Sequence, residues 1–517
     1  QIHFDSDLPH YGTKDGVCRD PSGNGRIVSP TLMWLEALDL ILERLKHSGL
    51  DFDKIVAISG SGQQHGSVYW NKNGSAALAS LDPRRQLVDQ LKNVFSINES
   101  PIWMDCSTTS QCREIEETVG GALELSKITG SRAYERFTGP QIRKIFQNQP
   151  DIYNSTDRIS LVSSFMASLF IGAYASIDHT DGAGMNLLDI KQKKWSQIAL
   201  EATAPNLEEK LGIVAAAHEV AGVVSPYFVE RYGFSKNCLV INWSGDNPNS
   251  LAGLTLSTTG DLAISLGTSD TVFGIAHDPK PGLEGHVFPN PVDTDSYMVM
   301  LCYKNGSLTR EEIRNLCAQK SWETFNHLLQ KSPTFNDGKV GFYYKDHEIL
   351  PPLPVGYHRY IIRNFRGEFS SDEEVDEFDP CSEVRALVEG QFLSMRGHAE
   401  RFGLASPPER IIATGGASAN QAILDVLSAV FGCDVHTVER PDSASLGAAL
   451  RAAHGWLCHA RGRFVPMRSV YEGLEKSSLR CKLAARSGDP QVASGYTQLM
   501  KCRLHIENRL VEKLRRC

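Results

Sequence analysis

An Asp-Asn pair beside a glycine is the first group in this sequence that could do chemistry. Asp246 and Asn247 directly follow Ser244 and Gly245. A carboxylate at the rim of a cleft can accept the proton of an attacking hydroxyl, and a neighbouring carboxamide can donate to a substrate oxygen. Asp and Asn next to Gly also form ordinary turns. The pattern alone leaves two interpretations open, a general base or a simple turn.

Two further polar residues could contact a substrate from loops. His65 lies in the run Ser61-Gly62-Gln63-Gln64-His65-Gly66, and Arg136 lies within residues 133–139. A loop histidine is more often a surface residue than a ligand. Arg136 could clamp a sugar hydroxyl, or it could pair with its neighbour Glu135.

Three glycine-centred turns follow predicted strands, and such turns let backbone N–H groups approach an anion. They are Gly60/Gly62/Gly66, Gly267-Thr268-Ser269 and Gly415-Gly416. The first has one residue too many for GxGxxG, and no GxxxxGK[ST] run occurs, which disfavours a nicotinamide dehydrogenase and a Walker-type nucleotide site. The second turn joins two strands and the third leads into a helix, the arrangement with which actin-like ATPases hold phosphate and adenosine.

The elements that must position these turns follow an α/β pattern of short apolar runs and amphipathic stretches. We expect a helix with Ser29 as N-cap and Pro30 as its first residue, ending at Gly49. Residues 68–70 and the Asn73-Gly74 turn predict a hairpin. The other predictions are strands over 239–241, 262–266, 271–276, 297–302 and 411–413, helices over 382–402 and 419–431, and an exposed acidic loop over 368–379. A division between residues 217 and 239 gives domains 1–237 and 238–517.

Composition excludes several classes of protein. The 517 residues contain 53 Lys and Arg against 61 Asp and Glu, a formal charge of −8, which argues against broad attraction to nucleic acid. The 12 cysteines form no CxxC pair and no zinc-type spacing, which indicates a reduced, cytosolic chain. The uncharged stretch 159–177 is rich in Ser, so a buried core helix is favoured over a membrane span.

Taken together and in order, the motifs resemble those of the FGGY family of carbohydrate kinases. The resemblance covers about residues 1 to 456. In the first half it is carried by residues 61–66, Trp103-Met104-Asp105, 130–139 and 181–186. In the second half it is carried by Gly245-Asp246-Asn247, 265–271 and 413–418.

The resemblance implies two α/β domains of the actin/hexokinase-like (ribonuclease-H-like) type with a cleft between them. It implies phosphorylation of a sugar hydroxyl by ATP with Mg²⁺, and points to the branch that converts D-xylulose to D-xylulose 5-phosphate. The alternatives are a kinase for another ketose or polyol, such as ribulose or glycerol, and an impaired fragment that only binds sugar or partners. We expect a monomer or homodimer without nucleic-acid or membrane partners.

Site residues can be carried over by motif position. Asp246 matches the catalytic base. The sugar-binding positions are His65, Arg136, Asp246 and Asn247, with Asp105 near the same pocket. The ATP-binding positions are Gly267, Thr268 and Ser269 at the transferred phosphate, Gly415, Gly416 and Asn420 at the adenosine, and Trp322 on the adenine side. The resemblance assigns no residue as a metal ligand.

Two departures from the family pattern matter. Members usually carry Arg two residues after the Asp of Trp-x-Asp, and this chain has Ser107 there. The family also opens with a strand–turn–strand that faces the phosphates and Mg²⁺. We expect that about 30 to 35 residues with this hairpin are missing before Gln1.

Overall fold

The computed structural model describes residues 1–367, 370–438, 442–473 and 480–514. The chain forms two compact units, and each is assembled from separate segments. The first unit comprises Gln1–Thr255, Val287–Asp295 and Asp442–Tyr471, and the second comprises Leu256–His286, Ser296–Pro441 and Glu472–Cys517. The single domain boundary between residues 237 and 238 stays a prediction about the family's two domains.

The first unit combines many helices with short strands. Its helices are Phe4–Asp7, Thr31–His47, Gly74–Ala79, Leu87–Leu91, Thr109–Val119, Ala122–Thr129, Thr138–Asn148, Pro150–Ser155, Val162–Ile171, His179–Ala183, Gln197–Thr203, Leu207–Leu211, Pro226–Tyr232, Asp246–Gly253, Ser443–Arg461 and Arg468–Tyr471, with 3-10 turns Pro9–Tyr11 and Phe52–Lys54. Its strands are Cys18–Arg19, Ile27–Pro30, Ala57–Ile58, Ser61–Gly62, Ser67–Asn71, Glu99–Pro101, Thr156–Leu161, Ile177–Asp178, Leu188–Asp189, Lys194–Trp195, Val214–Ala215, Val220–Val223, Leu239–Ile241 and Ser244–Gly245.

Two parallel strand pairs in this unit carry the predicted sugar-side turns. Leu239–Ile241 pairs in parallel with Ala57–Ile58, which confirms the predicted strand over 239–241. A few residues later, Ser244–Gly245 pairs in parallel with Ser61–Gly62. Because parallel strands place their carboxyl ends at one edge, the loops that follow each pair lie side by side.

The predicted first helix forms, but its start differs from the prediction. The helix is Thr31–His47, so Pro30 precedes it as the N-cap residue and makes no side-chain cap. The Ser29 hydroxyl instead donates to the carbonyl of Gly16 at 2.8 Å, in the buried interior. Apolar residues recur along the inner face of the helix, including the buried Met33, Leu35 and Leu38.

The predicted hairpin at residues 68–70 is wrong. Strand Ser67–Asn71 pairs antiparallel with the distant strand Thr156–Leu161, and the Asn73-Gly74 turn leads into the helix Gly74–Ala79. Residues 68–70 have no exposed surface, so partners on the core side decide the pairing rather than the local turn signal.

The uncharged stretch 159–177 is a helix over only part of its length. It contains the end of strand Thr156–Leu161, the buried helix Val162–Ile171 and the start of Ile177–Asp178. Within the part of the chain that the structure describes, no helix is long and apolar enough to cross a membrane.

The second unit is organised around a sheet. Six of its strands follow the spatial order Tyr297–Tyr303, Asp270–Ala276, Asp261–Leu266, Arg410–Thr414, Asp434–Thr437 and Lys482–Ala485. The middle three are parallel and the outer pairings are antiparallel, which confirms the strands predicted at 262–266, 271–276, 297–302 and 411–413. A smaller antiparallel sheet contains Lys339–Tyr344, Gly356–Arg363 and Ser371–Val375. Strand His286–Pro289 straddles the division between the units.

Long helices accompany this sheet. They are Ser307–Cys317, Trp322–Lys331, Pro380–Arg401, Gln421–Phe431 and Pro490–Leu514, with 3-10 turns Thr334–Gly338 and Gly416–Ala419. The helices predicted over 382–402 and 419–431 are therefore confirmed, the second beginning two residues late because the 3-10 turn occupies its start.

The acidic stretch 368–379 is not a loop throughout. Ser371–Val375 forms an edge strand that pairs antiparallel with Gly356–Arg363. Arg363 and Glu373 form an exposed ion pair across these strands. Charged side chains are common on edge strands, where they discourage further pairing, so charge density alone does not distinguish such a strand from a loop. Glu368 and Phe369 lie outside the described residues.

Candidate functional site

Asp246 is the first residue of helix Asp246–Gly253, directly after strand Ser244–Gly245. Its Oδ1 accepts the backbone N–H of Asn247 at 3.0 Å. The carboxylate is accessible to solvent but closely surrounded by protein, and this desolvation raises its pKa above that of an ordinary Asp. An accessible carboxylate with a raised pKa is suited to accepting a proton.

Asn247 joins the Asp246 turn to the loop that carries His65. Its Nδ2 donates to Gln64 Oε1 at 2.7 Å. The fold therefore brings Gln64 next to Asp246 and Asn247, although 183 positions separate Gln64 from Asn247 in the sequence. Of the predicted sugar-side residues, His65, Asp246 and Asn247 share this corner of the first unit.

His65 is buried and held on several sides. Its Nδ1 donates to the carbonyl of Gly184 at 2.8 Å, its ring stacks on Phe137 at 4.3 Å between centroids, and its own carbonyl accepts from the Thr138 hydroxyl at 3.0 Å. Burial, together with the charge of Arg136, lowers the pKa of His65 to about 3. The imidazole is therefore neutral at physiological pH, and only Nε2 remains to contact a substrate.

Arg136 lies in the same neighbourhood, on a loop braced by other segments. Its guanidinium lies 4.8 Å from the Tyr134 ring centroid and 5.3 Å from that of Phe137. The carbonyl of Glu135 accepts hydrogen bonds from Thr108 Oγ1 at 2.7 Å and from Gln141 Nε2 at 3.0 Å. These contacts fix the backbone immediately before Arg136.

Asp105 is buried, and its carboxylate accepts hydrogen bonds from other residues of the protein. Oδ2 accepts the N–H of Ile27 at 2.9 Å, and Oδ1 accepts the N–H and hydroxyl of Ser107 and the Nε2 of Gln141 at 2.7 Å. Lys144 Nζ in turn lies 2.6 Å from Ser107 Oγ. Through Gln141, Asp105 reaches the loop before Arg136, so it is connected to the predicted sugar site by a hydrogen-bond chain.

The predicted phosphate loop of the second unit lies between strands Asp261–Leu266 and Asp270–Ala276. The carbonyl of Gly267 accepts the N–H of Ser307 at 2.8 Å. A Cβ on Gly306 would lie 2.6 Å from that same carbonyl and 2.7 Å from the carbonyl of Thr268. The loop is thus packed directly against the start of helix Ser307–Cys317, while the side chains of Thr268 and Ser269 are exposed.

Two glycines follow strand Arg410–Thr414. Gly415 has φ +84°, and a Cβ there would lie 2.5 Å from the carbonyl of Leu266, the residue before the phosphate loop. Gly416 has nothing within 4 Å of a Cβ position. The two predicted nucleotide turns therefore lie next to each other, and open space faces the second glycine.

Asn420 and Trp322 lie beside these glycines. Asn420 Oδ1 caps helix Gln421–Phe431 through the N–H of Ile423, and its Nδ2 donates to Asn326 Oδ1 at 2.8 Å. Asn326 belongs to helix Trp322–Lys331. The guanidinium carbon of Arg314 lies 4.7 Å from the ring centroid of Trp322, the first residue of that helix. The helix that begins with Trp322, the predicted adenine-side residue, therefore contacts Asn420 through Asn326.

Two buried arginines near these turns were not predicted from the sequence. Arg310 contacts Asp270 behind the phosphate loop, and Arg451 contacts Asn249 behind the Asp246 turn. Neither arginine lies in a recognisable motif. The one sequence signal is an arginine in the middle of a largely apolar helix, as in Ser443–Arg461.

Comparison with known proteins decides the family. The N-terminal domain of the FGGY family of carbohydrate kinases matches residues 20–253, and its C-terminal domain matches residues 262–456. The chain belongs to the FGGY family of carbohydrate kinases. The expected enzyme class, a phosphotransferase with an alcohol group as acceptor, is confirmed by this membership.

Several FGGY relatives match along nearly the whole chain. Xylulose kinase 2 of Arabidopsis thaliana is 68% identical over 517 residues, which is 99% of this chain and 93% of that protein. The xylulose kinase of Rattus norvegicus is 49% identical over 515 residues, 99% of this chain and 92% of that protein.

Solved structures of other kinases match the fold. The xylulose kinase from Rhodospirillum rubrum superposes with a TM-score of 0.76 at 16% identity, covering 96% of this chain and 93% of that one. A glycerol kinase from Plasmodium falciparum with ADP superposes with a TM-score of 0.70 at 15% identity, covering 94% and 91%. The predicted fold class, two α/β domains of the actin/hexokinase-like type, is confirmed.

Proposed function

We propose that this chain transfers the γ-phosphoryl group of ATP to the terminal hydroxyl of D-xylulose and releases D-xylulose 5-phosphate and ADP. The observation that carries the proposal is the Asp246 turn, where an accessible carboxylate of raised pKa lies beside Asn247 and the His65 loop. The high identity to proteins named xylulose kinase over nearly the whole chain supports D-xylulose as the sugar.

The sugar is held by the corner that contains His65, Arg136, Asp246 and Asn247. His65 is neutral and donates its one ring proton from Nδ1 to the carbonyl of Gly184, so its Nε2 accepts a hydrogen bond without carrying charge. Arg136 supplies fixed donors for sugar oxygens. Asp105 acts indirectly, because its carboxylate accepts hydrogen bonds from other residues of the protein. It is connected to the Arg136 loop through Gln141.

In the chemical step, Asp246 takes the proton of the sugar hydroxyl while the oxygen of that hydroxyl attacks the γ-phosphorus. One O–P bond forms, the bond between the γ-phosphorus and the β–γ bridging oxygen breaks, and ADP leaves with that electron pair. Gly267, Thr268 and Ser269 hold the γ-phosphate with backbone N–H groups and hydroxyls. Gly415, Gly416, Asn420 and Trp322 hold the adenosine.

Mg²⁺ is expected to accompany ATP. It prefers octahedral oxygen ligands, keeps several waters, and offsets the charge of the phosphates. Over residues 1–367, 370–438, 442–473 and 480–514, no three His, Cys, Asp or Glu side chains are grouped to hold a metal ion. The exposed hydroxyls of Thr268 and Ser269 would be the protein oxygens near a cation that phosphate and water mainly hold.

We place the enzyme in the cytosol. The buried thiols of Cys112 and Cys433 are free, and burial raises the pKa of each to about 12, as suits thiols in a reducing compartment. A monomer or a homodimer remains the predicted assembly.

The test compares Asp246→Asn with Asp89→Asn, an exposed Asp of the same unit that the site does not use. Both are assayed with MgATP and D-xylulose, and the wild-type chain also with D-ribulose and glycerol. Asp246→Asn should lower kcat by orders of magnitude while the KM for ATP stays unchanged. Near-normal turnover in Asp246→Asn would remove Asp246 from the base role, and preference for another acceptor would reject D-xylulose.

A further inference from the structure

We propose that Arg451 is a positioning residue for Asp246 and that it acts through Asn249. The inference rests on the proposed role of Asp246 as the base. Neither residue is among those to which the sequence motifs assign a role, and 202 positions separate them in the chain.

Asn249 lies one turn beyond Asp246 on helix Asp246–Gly253, and its carboxamide points back at the turn that precedes the helix. Its Nδ2 lies 2.9 Å from the carbonyl oxygen of Gly245 and 3.2 Å from that of Ser244. It also lies 3.2 Å from the carbonyl of Gly60, in the strand end before the His65 loop. One buried amide thus ties the backbone before the proposed base to the backbone before the sugar loop.

Arg451 holds this amide from behind. Its Nη1 donates to Asn249 Oδ1 at 2.9 Å, which fixes the amide with its Nδ2 toward the carbonyls. Its Nη2 donates to the carbonyls of Asn242 and Ala217, each at 3.0 Å. The guanidinium is 1% exposed, so these contacts hold it without help from solvent. The arginine therefore clamps both the chain that enters the Asp246 turn and the helix that leaves it.

Two buried carboxyl groups, those of Asp178 and Asp181, also lie near the Arg451 guanidinium. Asp178 Oδ2 lies 3.7 Å from Arg451 Nη2, and Asp181 lies nearby with Ser163 donating to its Oδ2 at 2.5 Å. Burial and the charge of Asp178 hold the pKa of Asp181 well above its usual range. Two buried carboxyl groups therefore lie near the one guanidinium, and a neutral residue at 451 would leave the Asp178 carboxylate without its cation.

The fold brings Arg451 to this place through direct contact between two helix backbones. A Cβ on Gly447 would lie 1.7 Å from the carbonyl of Asn249, and one on Gly253 would lie 1.9 Å from the carbonyl of Ser443. The helices Ser443–Arg461 and Asp246–Gly253 thus meet without intervening side chains. Arg451, one turn after Gly447, is aimed at the interior of the Asp246 helix.

A lysine cannot replace this arginine in the proposed role. The planar guanidinium donates in two directions at once, to Asn249 through Nη1 and to backbone carbonyls through Nη2. An ammonium could keep the charge near Asp178 but would not span both sets of acceptors. Arg451→Lys therefore separates the positioning function from charge balance.

The experiment measures kcat, both KM values and thermal stability with D-xylulose and MgATP. The variants are Arg451→Lys, Arg451→Met, Asn249→Ala and the double variant Asn249→Ala/Arg451→Lys. The control is Arg385→Lys, a buried arginine paired with Glu389 in the second unit. We expect Arg451→Lys to lower kcat by about 100-fold, as a small misplacement of a reacting group does, with the KM for ATP within about twofold of the wild type.

The double variant is decisive, because residues that act as one unit are not additive. If Arg451 acts through Asn249, the double variant loses no more kcat than Asn249→Ala alone. A loss equal to the product of the single losses overturns the inference. So does a Tm loss in Arg451→Lys that matches Arg385→Lys with kcat unchanged, since that is a purely structural effect.

A second variant covers the case in which the arginine variants do not fold. Asn249→Asp still accepts from Arg451 but loses the N–H groups that hold the carbonyls of Ser244 and Gly245. A folded Asn249→Asp with wild-type kcat overturns the inference, and a kcat loss at unchanged KM for ATP supports it. Absence of wild-type turnover on every sugar would instead reject the proposed function itself, and this inference with it.

Discussion

Arg310 and Asp270 form a two-pronged ion pair in which both side chains are completely buried. Nη1 of Arg310 lies 2.7 Å from Asp270 Oδ2, and Nη2 lies 2.9 Å from Oδ1. Asp270 is the residue after Ser269, so the pair anchors the end of the phosphate loop to helix Ser307–Cys317. Gln391 Oε1 accepts a further bond from Nη1 at 2.9 Å.

Removing one member of this pair should cost more than removing both. Arg310→Met leaves the Asp270 carboxylate buried without its cation, and we expect a loss of about 3–5 kcal/mol in the free energy of unfolding. Asp270→Leu/Arg310→Met removes both charges and should lose clearly less. Urea unfolding of the three proteins measures this. A double variant at least as unstable as Arg310→Met would contradict the prediction.

Turnover should fall on the acid side at a pH above the ordinary range of an aspartate. The base acts when ionised, and its raised pKa means that activity is lost as the pH falls through that raised value. His65, with a pKa of about 3, stays neutral and contributes no limb between pH 5 and 8. The pH profile of kcat/KM for the sugar, which follows the groups of the free enzyme, measures this for the wild type and for His65→Asn, which keeps a donor toward Gly184. Loss of the acid limb in His65→Asn would assign that limb to the histidine.

Asp105→Asn should raise the KM for the sugar and leave kcat largely intact. An amide puts an NH₂ group where the carboxylate accepts from Ile27, Ser107 and Gln141, and the Gln141 link to the Arg136 loop weakens. We expect a stability loss of about 1–3 kcal/mol. Steady-state kinetics and thermal unfolding measure both effects. Lys144→Met, which removes only the contact to Ser107, is the control, and equal effects in the two variants would argue against the Gln141 link.

Gly447→Ala should destabilise the first unit. The new methyl group would overlap the carbonyl of Asn249, so the two helices must move apart at a cost of about 1–3 kcal/mol. Because Asn249 lies at the contact, kcat should fall as well. Gly488→Ala, at an exposed glycine with nothing within 4 Å, is the control and should leave Tm and kcat unchanged. Equal Tm values for the two variants would refute the tight helix contact.

Local signals in the sequence predict the fold and the turns well where strands end in glycine. The strands before Gly267 and Gly415 form as predicted and lie next to each other, because short apolar runs that end in glycine are a clear strand signal. The hairpin after residue 70 is wrong because Asn73-Gly74 gives the same local signal at a helix start as in a two-residue turn.

The supports of the site could not be predicted from spacing. Arg451 lies 202 residues from Asn249, and Arg310 lies 40 residues from Asp270. Each pairing depends on which elements of the fold pack together, and no short-range pattern in the sequence records that. The role expected for Asp105 illustrates the same limit, since its four donors come from three separate segments.

The late position of helix Ser443–Arg461 has a consequence for the newly made chain. At about 5–20 residues per second, the ribosome needs on the order of 10–40 s to go from Asn249 to Arg451. During that interval the Asp246 turn has emerged without its guanidinium, and Asp178 faces no cation. The first unit therefore cannot complete its interior until most of the second unit has been synthesised. A nascent chain stalled before residue 442 exposes this unfinished surface to chaperones and proteases.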